Sequence, residues 1–478
     1  MAFTTEQEAQ LLEVLGAFQN GKRINELPHV NGTSNPFNLI SEVLDEDGES
    51  KQAKLAEFLP YLESQCAYGI EMDTSVSSPL CTRIGNGDLH KSLPVQSRMK
   101  GCLLDDNGKV VVYLNSQNWN AHDLSGASGQ VMVEIPRHYR KFETEGTKRR
   151  AFISEYPLPG YHVVPTSYIS AYEATVQRST NMLCSVKNMD VDFRGGGNQA
   201  DWDNTYKSLL GRPATNLGRQ TFRAYARKRK ENSSEWNCQI YEMYKTVYWL
   251  FVIEYANLNS QASFNAEPTI SGYKQGGLGS GVTEISDWGG FNGYYPFVPC
   301  GYTDSLGNQS GVVVYETLNE DGTLRYNAPV PRYRGIENPF GHVYKHTDGI
   351  NINTQSPEEG GESKVYVCKN PALFNDSGYN GYSHVGNQPR QDGWGKSHIF
   401  GEFGEVIPEE VGAGSSTHMC DHFYTSADNA EYGLRGLLSG GTAHYSSAAG
   451  FAYSDTTYVP SAASALVGSR LCFLPEQA

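Results

Sequence analysis

Apolar positions recur with a helical period at three places in this chain. Leu11, Leu12, Leu15 and Phe18 form one stripe, opened by a Thr5/Glu8 capping box and stopped by Asn20-Gly21. Leu55, Phe58, Leu59 and Leu62 repeat the spacing, and Pro60 is expected to kink or end that second helix. Residues 1–65 therefore predict a short helical module, with an acidic turn at Asp45-Glu46-Asp47 between its helices. It suits attachment or oligomerisation, and equally a helical cap on the next domain. The third stripe is Ile240, Tyr244, Val247, Tyr248, Phe251, Tyr255 and Leu258, which predicts a long core helix over Trp236–Ser260.

Between these lies a different pattern. Lys109–Leu114, Val131–Pro136 and Phe152–Ser154 read as strands, with turns at Asp106-Asn107-Gly108 and Gly146. Residues 66–165 thus predict a β-rich domain. From residue 166 the pattern is mixed. Tyr168–Ala174 reads as a strand and Gly218–Lys230 as a basic amphipathic helix, with Arg223, Arg227, Lys228, Arg229 and Lys230 on a solvated face. After Ser260 the chain reads as Gly-punctuated loops and short strands up to a terminal strand near Leu471-Cys472-Phe473.

Composition changes this picture in two respects. The 30 Tyr and 50 Gly point to a loop-rich chain that exposes many rings. A formal charge of −15 argues against nucleic acid or an anionic membrane as a general partner, because both demand a basic face. The longest apolar run, Val247–Ile253, is too short for membrane insertion. The N-terminus is acidic and lacks a long apolar run, so no secretory leader is expected. Nine scattered cysteines without CxxC or zinc spacing predict reduced, mostly buried thiols in a protein made in the cytoplasm.

The C-terminal segment carries the strongest signal. Residues 440–468, GGTAHYSSAAGFAYSDTTYVPSAASALVG, contain no Lys, Glu, Gln, Met or Trp. Asp455 is their one formally charged residue, in a chain that is 19% charged. Small, polar, tyrosine-bearing surfaces of this kind are used by binding loops. The alternative is a flexible Gly/Ser-rich tail. Against it stand the apolar brackets Leu434, Leu437 and Leu438 before the segment, and Val467, Leu471 and Phe473 after it.

Three features resemble a known family. They are the opening strand with Tyr172-Glu173, the following pair of helices, and the end built from Leu434–Gly441, Ala449-Gly450-Phe451 and Gly468–Phe473. Met419–Tyr424, Ile135–Tyr139 and Ser154–Gly160 add to the likeness. Together they resemble the variable proteins of diversity-generating retroelements, which use a C-type-lectin fold like that of formylglycine-generating enzymes. Phage tail-fibre tropism determinants belong to that family.

The resemblance implies an α+β fold, with a C-type-lectin-like ligand-binding domain over 166–478 preceded by the β-rich domain and the helical module. It implies adenine-directed mutagenesis of Asn codons, which excludes the five residue types missing from 440–468. The ligand-binding, variable positions it implies are Thr442, His444, Tyr445, Ala448, Asp455, Thr457, Tyr458, Ala462, Ser464 and Leu466, each facing outward. Gly441, Ala443, Ala449, Gly450 and Tyr453 would be fixed scaffold. It further implies a homotrimer on a virion tail fibre, joined to tail components through its N-terminal region, with a bacterial surface protein or glycan as receptor. A cellular display protein of the same family is the alternative, and an enzyme on this fold a third.

No catalytic residue, metal or cofactor is expected. His418 and His422 could share a helical face for metal binding, but the flanking residues favour a strand, with Cys420 and Phe423 packed and Asp421 hydrogen-bonded. Gln388-Pro389-Arg390 places a cation where a lectin calcium loop needs an oxygen ligand. Cys472 has no nearby partner for a copper pair and reads as a small hydrophobe.

Overall fold

The computed structural model describes residues 40–44, 50–203, 208–425 and 432–476, with side chains from Pro60 onward. The first predicted helix and the acidic turn at 45–47 lie outside them. Ile40–Leu44 and Ser50–Lys54 pair as an antiparallel hairpin, so the described part of residues 1–65 is not purely helical. The second helix, Leu55–Cys66, runs through Pro60 instead of ending there. Pro60 itself is exposed.

Sheets dominate. A six-stranded antiparallel sheet has the order Trp236–Cys238, Leu471–Phe473, Ser167–Ser170, Gln130–Ile135, Lys100–Leu104, Val110–Tyr113. The predicted strands near 110, 131 and 152 are all present. The boundary drawn at 165/166 falls inside this sheet, where Ser167–Ser170 pairs with Gln130–Ile135 on one side and with the terminal strand on the other.

A larger sheet holds the C-terminal half. Its long central strand, Tyr344–Thr354, pairs with Ser363–Val367 and with Gly433–Ser439, and takes Val467–Gly468 in parallel. This strand, Gly311–Leu318 and Leu324–Tyr333 are longer than the short strands expected after Ser260. Cross-strand partners far along the chain make them, and local composition carries no trace of that.

The central helix is Tyr241–Tyr255, and within it only Glu242 escapes full burial. It is apolar nearly all round, as a helix enclosed by sheets must be. Its buried charges are paired: Lys245 Nζ lies 3.1 Å from Glu405, and Glu254 bonds Arg334 and Tyr333. The predicted helical span began five residues earlier. Trp236–Cys238 is instead a strand beside Leu471–Phe473, with the Trp236 ring 4.9 Å from Phe473. The flanking sheet selects the extended form there.

The basic helix is Arg219–Arg227; of the five cations expected on a solvated face, Lys228 is exposed, Arg227 and Lys230 are half-buried, and Arg223 and Arg229 are buried. Arg219 is fully buried, and Arg223 and Arg229 nearly so. Arg223 Nη1 reaches Asp348 at 2.6 Å, and Arg219 Nη2 reaches Asp376 at 2.7 Å. A second buried cluster ties the opening strand to the core. Glu173 accepts from His342 Nδ1 at 2.6 Å and forms an ion pair with Lys345 Nζ at 2.8 Å. Burial alone would raise the Glu173 carboxyl, but Lys345 and His342 hold it down to about 2. Arg470 spans the carbonyls of Ser170 and Asn338, so the last strand is fixed by charge as well as by pairing.

Candidate display surface

The segment from Gly440 to Gly468 is clamped along its length by backbone bonds to segments that precede it. Gly341 N donates to Gly440 O at 2.8 Å, Ile285 N to Ala443 O at 2.8 Å, and Ser446 N to Thr283 O at 2.6 Å. Further on, Gly436 N bonds Tyr458 O, Arg219 N bonds Pro460 O, and Asn216 N bonds Ser464 O. His346 Nε2 meets Ala462 O at 2.8 Å. Gln388, in the stretch compared with a calcium loop, donates to Thr456 Oγ1 at 2.7 Å.

Between these clamps, buried and outward stretches alternate. Ala443, Ala449, Phe451, Ala452 and Tyr453 are buried. His444 and Tyr458 are exposed, and Tyr445, Ala448, Thr457, Ala462, Ser464 and Leu466 are half-buried. Leu466 packs against two apolar clusters, one with Ala443 and Val343, the other with Tyr344 and Tyr453.

Two of the ten expected positions do not face outward. Thr442 is fully buried and Asp455 is 4% exposed. Thr442 Oγ1 lies 3.2 Å from His444 Nδ1. Asp455 accepts from the amide and hydroxyl of Thr457, at 3.0 and 2.6 Å, and from Tyr344. Burial pushes its carboxyl up to about 6, against the pull of the Thr457 donors. Asp455 therefore supports the loop from beneath. Its single charge was read from sequence as display, because composition carries no direction.

The glycines expected to be fixed are constrained for different reasons. Gly441 has φ +73° and its Cβ position is 2.7 Å from Ala449 Cβ. At Gly450 the constraint is space alone. A Cβ there would fall 1.6 Å from Asp421 Oδ1. Asp421 accepts the Ala452 N–H at 3.2 Å, and Ser260 Oγ accepts the Phe451 N–H at 3.1 Å. Burial drives the Asp421 carboxyl well above the usual range. Gly450→Ala is expected to cost about 1–3 kcal/mol as an overpacked site, read as a lowered denaturant midpoint. An unchanged midpoint would show that Asp421 does not pack on this backbone.

An aromatic path crosses this surface, and only its middle was legible in the sequence. Tyr294 lies 5.6 Å from His444, His444 4.8 Å from Tyr445, and Tyr445 5.8 Å from Tyr424. Tyr424 stands 4.5 Å from His422, which meets Trp394 at 4.6 Å. Tyr294, Trp394 and the strand that carries His422 and Tyr424 are three separate segments whose spacing gives no hint of the path; the excess of tyrosine was the one signal. Such rings offer rigid contact area with polar edges.

His422 thus belongs to a strand, His422–Tyr424, while His418 sits in the preceding turn with φ +52°. Among the described residues no group of three or more His, Cys, Asp or Glu is gathered around a possible metal position. Cys472 is buried opposite Ile169 and Asn237 in the terminal sheet. Among the described residues no helix is long and apolar enough to cross a membrane. No known family and no curated protein matches this chain.

Proposed function

We propose that this chain is a receptor-binding protein of a phage or prophage tail fibre, whose C-terminal surface holds a diversified patch against a bacterial surface protein or glycan. The observation that carries this reading is the alternation within 440–466. Buried anchors and backbone clamps hold the segment, while His444, Tyr445, Ala448, Thr457, Tyr458, Ala462, Ser464 and Leu466 keep part of their surface in solvent. Side chains on a backbone fixed in this way can change without unfolding what holds them.

In this reading the lectin-like part begins and ends on paired strands of one sheet. Ser167–Ser170 pairs with the terminal Leu471–Phe473, and the helices Arg219–Arg227 and Tyr241–Tyr255 lie between them in sequence. In this reading the N-terminal region joins tail components, the protein is a homotrimer, and several copies raise a modest single-site affinity.

The test uses two exposed rings. His444→Ala with Tyr458→Ala is expected to abolish saturable binding to host cells. Stability should stay within about 0.5 kcal/mol per site, as at ordinary surface positions. Undiminished cell binding by the double variant would refute the reading.

A further inference from the structure

A fixed groove runs beside the display segment, along the helix Arg219–Arg227. Two cavities, of about 460 and about 350 Å³, both border Gln220 and Asp376. The smaller one reaches Val459, Pro460 and Ser461, next to the outward Tyr458 and Ala462. The larger one ends at Arg223, Arg227 and Asn375.

The charges here do not balance. Asp348 and Asp376 serve Arg219 and Arg223. Among the described residues Arg227 donates to neutral acceptors only, Asn237 Oδ1 at 3.3 Å from Nε and the Pro371 carbonyl, and the Asp348 carboxylate acts on it from farther off. Burial holds the Arg227 guanidinium below its ordinary value, and the neighbouring Arg223 charge adds to this. An anion placed beside Arg227 would relieve that repulsion. The surplus is local, on a chain whose formal charge is −15.

The lining also defines the chemistry. Gln220, Asn375, Asp376, Ser377 and Ser461 provide amide, carboxylate and hydroxyl groups, beside Phe374, Leu434, Val459 and Pro460. That set suits a hydroxyl-rich chain better than a peptide.

We propose that this groove is a constant subsite for an acidic glycan, which seats a carboxylate or phosphate at Arg227 and runs past Ser461 toward the variable positions. The proposal rests on the receptor-binding reading for its biological sense, but its chemistry is tested on purified protein alone.

The probes are an oligogalacturonide for the carboxylate source, a glycerol-phosphate oligomer for the phosphate source, a neutral galactose oligomer, and an oligoglutamate peptide. Affinities are read by calorimetry at low and high salt. At least one acidic glycan is expected to bind about tenfold tighter than the neutral one and to weaken with salt. Whichever of the two binds identifies the source. Arg227→Gln is expected to remove the preference. Gln220→Glu, at an exposed position, should weaken the acidic probe about tenfold with an unchanged unfolding midpoint. Probe binding is read on purified protein and receptor binding on whole cells, so failure of the groove and failure of the receptor-binding reading are separable. Equal affinity for the neutral oligomer, a peptide bound as tightly as the glycans, no binding by any probe, or indifference to Gln220→Glu would each overturn the proposal.

Discussion

His398→Leu is expected to gain stability relative to the parent protein as pH falls, the difference between the two shifting by about 3 kcal/mol from about pH 7 to about pH 4. His398 lies on the strand Gly393–Phe400, fully enclosed, with the rings of Tyr248 and Phe423 each 5.8 Å away. Neither ring nitrogen has a hydrogen-bond partner among the described residues. Burial alone lowers the imidazole from 6.5 to about 3. The folded protein therefore holds this side chain neutral, while the unfolded chain protonates it near pH 6.5. Native stability from this group is complete above that value and is lost as pH falls toward 3. Measuring the difference between parent and variant matters here, because other buried groups act in opposite directions. Burial raises Glu337 to about 7 and Asp455 to about 6, and it lowers His138 and His346 to about 4. Their contributions cancel in the difference when the sites act independently. Near pH 7 the exchange should cost under about 1.5 kcal/mol, since the volumes are similar and two unpaired nitrogens are removed. Urea unfolding of both proteins from about pH 7 to about pH 4 measures the slope. A difference that does not change with pH would show that the imidazole titrates alike in both states.

Phe473→Ala should cost about 3–5 kcal/mol, a large part of the about 5–15 kcal/mol that holds a typical domain together. The ring is 2% exposed, on a strand held between Trp236–Cys238 and Ser167–Ser170. It lies 4.9 Å from Trp236 and 6.0 Å from Tyr168. Gly108 closes the other side so tightly that a Cβ there would stand 2.0 Å from the ring. Truncation opens a cavity that none of these rigid neighbours can fill. If the alanine variant does not accumulate, Phe473→Leu should still lower the denaturant midpoint by a smaller step. A midpoint unchanged in either variant would mean that the terminal strand does not close the fold.

The sequence by itself determined what depends on near neighbours along the chain. The β-branched runs at 110–113 and 130–135 became strands, and Asp106-Asn107-Gly108 became a turn, because side-chain shape and backbone freedom act locally. The period of Tyr244, Tyr248, Phe251 and Tyr255 found the core helix, and the composition of 440–468 marked the segment that the fold clamps at the surface. Tertiary structure decided which face each element turns inward and what it meets there. Arg223 reads as solvated until Asp348, 125 residues away, arrives to neutralise it. Trp236 reads as helical until the chain's last strand pairs with it. Thr442 and Asp455 share the composition of their exposed neighbours, yet they point into the protein. The aromatic path, the groove beside Arg227 and the contact between Gly450 and Asp421 all join residues far apart in the chain. A local pattern can say that a side chain is polar or apolar. Whether it is buried, and against what charge, depends on partners that only the folded chain brings within reach.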